Sequence, residues 1–189
     1  MPQTTQRPDK ARPAAGALMV RPVGIPIVLR SRNHWAVWKY ERDHRGAWSK
    51  PPRMPDGSPA DGHDRTSWSS FEDAYDAYRE DNWDGISYAF VETEGIIAFD
   101  LDHTSDHEQR DALIVHALDS FTEHSPGGNG LHVWVRAKLP EGRRRKDDIE
   151  IYSRRRFLSV TGHLASKHSP TIEARQVAAQ RVWQRFVAD

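Results

Sequence analysis

The 189-residue chain has no cysteine. That excludes disulfides and thiolate zinc sites, and it suits a reducing compartment. Net charge is absent too, because 27 basic residues balance 27 acidic ones. No global field draws the chain to nucleic acid or to a membrane surface, so any such attraction must come from a local patch. Long apolar runs are missing: none approaches the about 18 residues of a membrane span, and the N-terminus lacks the apolar segment of a signal peptide. The expectation is a soluble, cytoplasmic protein with no membrane partner. A hydrophobic content of 37% is modest, but seven Trp and five Tyr each bury a large area. The length suits one domain, or two small lobes sharing a core.

What is present centres on Gly95-Ile-Ile-Ala-Phe-Asp-Leu-Asp-His103. At a period of two, Ile97, Phe99 and Leu101 share one strand face, and Ala98, Asp100 and Asp102 share the other. Unpaired carboxylates in a dry core cost several kcal/mol each, on the order of magnitude of buried ions generally. A divalent cation offsets that cost, and two carboxylates two residues apart can share a hard cation, Mg²⁺ or Mn²⁺. The alternative is a strand ending at the surface, with Asp102-His-Thr-Ser105 as turn and helix cap.

Around this stretch the chain reads in order as follows. Residues 1–22, with Arg7, Lys10, Arg12 and Arg21, form a mobile basic arm. Pro26–Arg30 is a short strand and His34–Glu41 a firmer one. The latter returns through Ala47–Lys50 as a hairpin that Pro51-Pro52 ends. Lys50 there can reach a phosphate or stand solvated. After a loop over 53–66, Ser69 or Ser70 caps a helix over 71–81 with Phe71, Ala74, Tyr75 and Tyr78 inward. A strand over 86–92 turns at 93–95 and pairs with the central strand. A helix over 106–118 turns Leu113, Ile114, Ala117 and Leu118 to the core, and a short strand covers 120–123. A last helix over 172–187 packs through Val177, Val182, Trp183 and Phe186.

Two further stretches carry chemistry. Ser125-Pro-Gly-Gly-Asn-Gly-Leu-His132 holds three glycines and Asn129, so its backbone N–H groups can form an anion nest or simply a hairpin turn. It lacks the Lys-Ser/Thr of a Walker loop. The strand after it alternates Leu131, Val133 and Val135 with His132, Trp134 and Arg136. Asp148-Ile-Glu-Ile-Tyr152 repeats the pattern, with Glu150 and Tyr152 opposite Ile149 and Ile151. Between Arg136 and Arg156 there are nine Lys/Arg against four Asp/Glu, a local basic patch in a neutral chain. Three strands thus pair an aliphatic face with a face bearing Asp100 and Asp102, His132 or Glu150. One antiparallel sheet, covered by helices on one side, would gather these groups on the other. Such a set suits metal-assisted phosphoryl or nucleotidyl transfer.

The order Asp100-x-Asp102, Gly130-x-His132, Ile149-Glu150 and Arg156-Phe157 resembles the archaeo-eukaryotic primase superfamily. It is most similar there to the primase-polymerase domains of phage and plasmid replication proteins. Those share a D-L-D pair, an S-P-S-G-x-G-L-H loop and an I-E-I-Y…R-F…T-G segment, and the likeness covers roughly residues 34–162. It implies an α+β fold in which an α/β lobe joins a mixed or antiparallel sheet like an RNA-recognition motif, covered by helices. Residues 23–189 would be the catalytic domain, in two sub-lobes sharing one core.

The resemblance also implies roles. Asp100, Asp102 and Glu150 would hold Mg²⁺ or Mn²⁺ in a two-metal site. His132, Ser125, Asn129 and the Gly128 and Gly130 backbone would hold the phosphates of an incoming dNTP or NTP. Arg156, and Lys50 from the other lobe, would assist at the nucleotide or template. Partners would be a single-stranded DNA template with its primer, and a replicative helicase or helical accessory domain. Gly127 stands where the family pattern often has Ser, which removes one hydroxyl. A second likeness is to the first motif of haloacid-dehalogenase phosphatases, with Asp100 as nucleophile and Asp102 as acid/base. That chemistry requires a doubly wound parallel sheet. A third reading is a non-catalytic nucleic-acid-binding module using Trp134, Tyr152 and the arginines.

Overall fold

A computed structural model describes residues 16–165 and 169–188. The arm residues Arg7, Lys10 and Arg12 lie outside the described residues. Among the described residues there are twelve strands: β1 (Trp35–Trp38), β2 (Glu41–Arg42), β3 (Trp48–Ser49), β4 (Pro52–Arg53), β5 (Gly85–Ala89), β6 (Ile96–Leu101), β7 (Thr122–His124), β8 (Leu131–Arg136), β9 (Arg145–Lys146), β10 (Ile149–Tyr152), β11 (Phe157–Val160) and β12 (Glu173–Ala174). Four helices accompany them: α1 (Ile27–Arg30), α2 (Phe71–Glu80), α3 (Glu108–Leu118) and α4 (Gln176–Phe186). The architecture is α+β. Pairing is antiparallel except between β12 and β8.

Two main sheets divide the strands. One has the order β11-β5-β1-β4; the other runs β12-β8-β6-β10-β9, with β7 also paired to β8. The small β2–β3 hairpin stands apart. The period-two pattern of β6, β8 and β10 works as expected. Ile97, Phe99, Leu101, Val133, Val135, Ile149 and Ile151 form one buried cluster with Ile114, Leu118, Ala179 and Val182 from α3 and α4. From the opposite face of the same sheet, Ala98, Trp134 and Tyr152 join a second cluster. It contains Trp35, Tyr88, Phe90 and Leu158 from or beside the four-stranded sheet, and Phe71 of α2. Aromatic rings join the two sheets: Phe90 stacks on Trp134 with centroids 5.1 Å apart, and Tyr88 meets Trp134 edge-on at 5.9 Å.

Local chemistry explains several element ends. Ser70 Oγ accepts the Asp73 N–H at 3.0 Å and so caps α2, with Glu72 and Asp73 in its positive first turn. Gly95, at φ +66°, supplies the left-handed turn that starts β6. The described part of the arm is tied down: Leu18 N–H donates to Pro126 O at 2.9 Å, Arg21 N–H to Thr161 O at 2.8 Å, and Val20 is buried.

Five expectations need correction. Pro26–Arg30 is a helical turn, because Pro26 starts the helix and only Leu29 of the four following residues is fully buried. Pro52 does not end the sheet; it lies in β4 at the sheet edge, where a missing N–H is tolerated. β5 and β6 do not pair. The six residues 90–95 between them carry the chain from one sheet to the other, and β5 pairs with β1 and β11. On α3, Ile114, Val115 and Leu118 face inward while Leu113 is 54% exposed and Ala117 is exposed. On α4, Val177 is exposed and Ala179 takes its place.

His34, at the head of β1, is buried and its Nδ1 donates to Ala89 O at 3.1 Å. Burial, and then the Arg32 charge, push its pKa down from 6.5 to about 4. The Glu94 carboxylate, 3.3 Å from Nε2, is itself held by Arg32, so burial outweighs it. The unfolded chain therefore takes up this proton first as pH falls. Stability is full above about pH 6.5 and is lost toward pH 4, by about 3 kcal/mol in all. His34→Asn keeps a donor for Ala89 but cannot titrate. Urea denaturation at pH 7.5 and pH 4.5 is expected to show a smaller acid loss in this variant than in the wild type.

Candidate active site

Strand β6 is central in its sheet, and its neighbours place one row of polar groups across three strands. Asp100 is in register with His132 of β8 on one side and with Glu150 of β10 on the other. Cross-strand partners project from the same face, so all three side chains point away from α3 and α4. The next row along is Trp134, Ala98 and Tyr152, the apolar floor that packs on Phe90. Asp102 follows on the same face just past the strand end, where its N–H donates to Asp148 O at 2.8 Å.

Asp100 is the least compensated member. Its side chain is 15% exposed, and its buried Oδ1 has no hydrogen-bond partner among the described residues. His132 Nε2 lies 3.5 Å from that oxygen. Burial raises the Asp100 pKa, and the nearby charges of Asp102 and Glu150 raise it further, while His132 and Lys50 pull it down. Lys50, in the link between β3 and β4, has its Nζ 5.4 Å from the centre of the Trp38 ring. Glu150 is compensated. Arg156 Nη1 donates to its Oε1 at 2.6 Å and Tyr152 Oη to its Oε2 at 3.1 Å, with the guanidinium 4.3 Å from the Tyr152 ring centre. Burial pushes the Glu150 carboxyl up, but Arg156, Arg145 and the Tyr152 hydroxyl bring it below the usual range.

The glycine loop is the turn of the β7–β8 hairpin, and it lies beside the end of β6. Asn129 O accepts from Thr104 N–H at 3.1 Å, which ties the loop to the segment after Asp102. Two N–H groups that the sequence offered to an anion are used inside the loop. Gly128 N–H donates to Ser125 O at 2.9 Å, and Gly130 N–H to Ser125 Oγ at 3.1 Å. No acceptor among the described residues takes the N–H of Gly127 or Asn129, both of which are exposed. Ser125 itself is buried, so its hydroxyl braces the loop. Gly128, at φ +75°, needs the freedom of glycine.

Two groupings escaped the sequence reading. Glu123 of β7 is in register with His132 and fully buried, and its Oε1 lies 3.4 Å from His132 Nδ1. The available signal was an acid two residues after Phe121, and so on the same strand face as that apolar ring. Asp148 lies between two histidines, with Oδ2 3.0 Å from His107 Nε2 and Oδ1 3.6 Å from His103 Nδ1. It sits opposite the strand end, where the order of the chain alone does not place it.

In chemical type the row suits a hard cation: carboxylate oxygens, one of them orphaned and buried, in a neighbourhood that disfavours a further negative charge. In the described residues, however, no three Asp, Glu or His side chains are gathered closely enough to enclose a metal ion. Glu150 is already engaged by Arg156.

Over 154 residues the chain is 30% identical to a protein named DNA primase-polymerase from Nitratiruptor phage NrS-1, a match that takes in 74% of this chain and 21% of that relative. The chain thus spans about a fifth of the length of the curated relative it matches. No protein-family profile matches the chain. Among the described residues no helix is long and apolar enough to cross a membrane.

Two measurements check this geometry. Asp100→Asn removes a charge that the fold disfavours. The metal-free variant is expected to melt a few degrees above the wild type at pH 7.5, and the gain shrinks as acid neutralises Asp100 itself. At Gly130 an added Cβ would meet Leu101 O at 2.8 Å and Ser125 Oγ at 3.0 Å. Gly130→Ala is therefore expected to cost about 1–3 kcal/mol in a urea titration.

Proposed function

We propose that this chain, a homologue of a phage primase-polymerase, is a template-directed nucleotidyltransferase that extends a primer on single-stranded DNA from dNTPs or NTPs. The observation that carries the reading is the row His132–Asp100–Glu150 on three adjacent strands, with Asp102 on the same face. Asp100, Asp102 and Glu150 would hold Mg²⁺ or Mn²⁺. Such cations, when bound, activate a 3′-hydroxyl and neutralise charge on the triphosphate and the departing pyrophosphate.

The chain's own groups do the rest. His132 Nε2 faces the carboxylate row and would contact a phosphate oxygen beside it. The exposed N–H groups of Gly127 and Asn129 would complete that contact in place of the Gly128 and Gly130 groups, which are spent in the turn. Arg156, on leaving Glu150, exchanges a carboxylate for a phosphate, a swap its fork geometry favours. Lys50 adds charge from the β3–β4 link. The fold would be that of a primase-polymerase core, with the six-stranded sheet as its motif-like half. A replicative helicase or helical accessory domain would act alongside.

The phosphatase reading is not favoured. β6 has antiparallel partners on both sides, whereas that chemistry sits at the end of a parallel strand. A pure binding module would leave the carboxylate row unexplained, since acids repel a phosphate backbone unless a cation intervenes.

Primer extension on single-stranded DNA, with Mg²⁺ or Mn²⁺ and a phosphomonoester control, tests the proposal. Asp100→Ala, Asp102→Ala and Glu150→Ala are each expected to lower the extension rate by at least about a hundredfold, a loss of a few kcal/mol in transition-state stabilisation. Near-normal extension by any of them would remove that residue from the site. Monoester hydrolysis without extension would overturn the polymerase assignment.

A further inference from the structure

Glu123 is a fully buried carboxylate to which the activity proposed above gives no role. Leaving such a group unsatisfied would be costly, and here three N–H groups, a hydroxyl and an imidazole nitrogen face it. Oε1 accepts from Trp134 Nε1 at 3.2 Å and faces His132 Nδ1 at 3.4 Å. Oε2 accepts from the Thr161 N–H at 2.9 Å and the Gly162 N–H at 2.7 Å, with the Thr161 hydroxyl at 3.2 Å. Three N–H groups, from Trp134, Thr161 and Gly162, already use both oxygens as acceptors.

We infer that Glu123 is a positioning residue for His132: it holds the ring by its Nδ1–H and so directs Nε2 at Asp100 and the nucleotide site. His132 stands between two carboxylates, Glu123 on Nδ1 and Asp100 on Nε2. The Nδ1–Glu123 pair has hydrogen-bond geometry whereas Asp100 Oδ1 has no hydrogen-bond partner among the described residues, so the ring proton belongs on Nδ1. Asp100 Oδ1, with no hydrogen-bond partner, is the side left open for chemistry. A carboxylate behind a functional histidine fixes both tautomer and ring orientation. The second oxygen of Glu123 adds a link between the sheets. Thr161 and Gly162 directly follow β11 of the four-stranded sheet, so the ring is referenced to both halves of the protein. Contact with a phosphate oxygen requires a second proton on Nε2, taken up with the nucleotide, so the benefit to nucleotide binding rests on the activity proposed above; the Nδ1 proton of the free protein does not.

The test is histidine ¹⁵N NMR on the full chain, with primer extension run in parallel. In the wild type His132 Nδ1 is expected to carry a proton. Glu123→Gln must turn its carbonyl to Thr161 and Gly162 and its amide NH₂ to His132, so the proton leaves Nδ1 for Nε2. Asp100→Asn should leave the Nδ1 proton in place. An unprotonated Nδ1 in the wild type would overturn the inference whether or not any variant folds. So would loss of the Nδ1 proton in Asp100→Asn, or its retention in Glu123→Gln.

In extension, Glu123→Gln is expected to raise the KM for dATP about 10- to 100-fold, the usual loss when a partner behind a functional histidine is removed. Trp134→Phe removes a different Glu123 donor and should leave the Nδ1 proton unmoved. Unchanged kinetics in Glu123→Gln, with its tautomer switched, would sink the positioning role. Absence of extension in the wild type, with the Nδ1 proton in place, would sink the polymerase reading and leave the ring geometry standing.

Discussion

An ionised carboxylate held near an apolar floor requires a positive partner, and the architecture of this protein turns on how that need is met at Asp100. The same sheet that buries Phe99 and Leu101 under α3 and α4 must turn Asp100 to its other face. There the aromatic floor of Trp134 and Tyr152 restricts solvent without closing the site. His132 and Lys50 compensate part of the charge; Asp102 and Glu150 add to it. The balance is a site that favours a proton or a cation over an empty anion.

Compensation differs along the row. Glu150 has a ring-stacked guanidinium and a phenol, and it stays ionised. Asp100 has an imidazole at 3.5 Å and the charge of Lys50, with no hydrogen bond to its Oδ1 among the described residues. A cation at Asp100 would therefore compete with Arg156 for Glu150. Arg156 is 47% exposed, and its side chain can move without disturbing the core. The resting pair keeps the acid satisfied, and its opening would release the guanidinium toward a phosphate. In the proposed reaction stability and function would pull against each other here, as they do at many sites that concentrate like charge.

The two sheets are joined by two kinds of contact with different distance dependence. Stacked rings of Phe90, Trp134 and Tyr88 supply area and tolerate small sliding. Glu123 supplies direction, because hydrogen bonds to Thr161 and Gly162 on one side and to Trp134 and His132 on the other lose strength quickly when misaligned. Gly162 is itself packed against the arm: a Cβ there would meet Arg21 O at 2.1 Å. The segment from Leu18 to Arg21 thus bears on the same junction.

The sequence by itself determined which faces carry chemistry. Strict alternation in Ile97–Leu101, Leu131–Val135 and Ile149–Tyr152 sorts Asp100, His132 and Glu150 from the aliphatic residues, because a strand's side chains can only alternate. Ser70 as a cap and the turn at Gly95 were legible for the same reason: each depends on neighbours within a few residues. Tertiary structure alone decided the rest. It separated β5 from β6, although a short turn between two apolar strands reads as a hairpin. It spent the Gly128 and Gly130 N–H groups on Ser125, and it turned Leu113 and Val177 outward. Above all it placed Glu123 behind His132 and Asp148 between two histidines. Those contacts depend on strand partners and register, which are set by the joint burial of residues far apart in the chain and leave no local period to read.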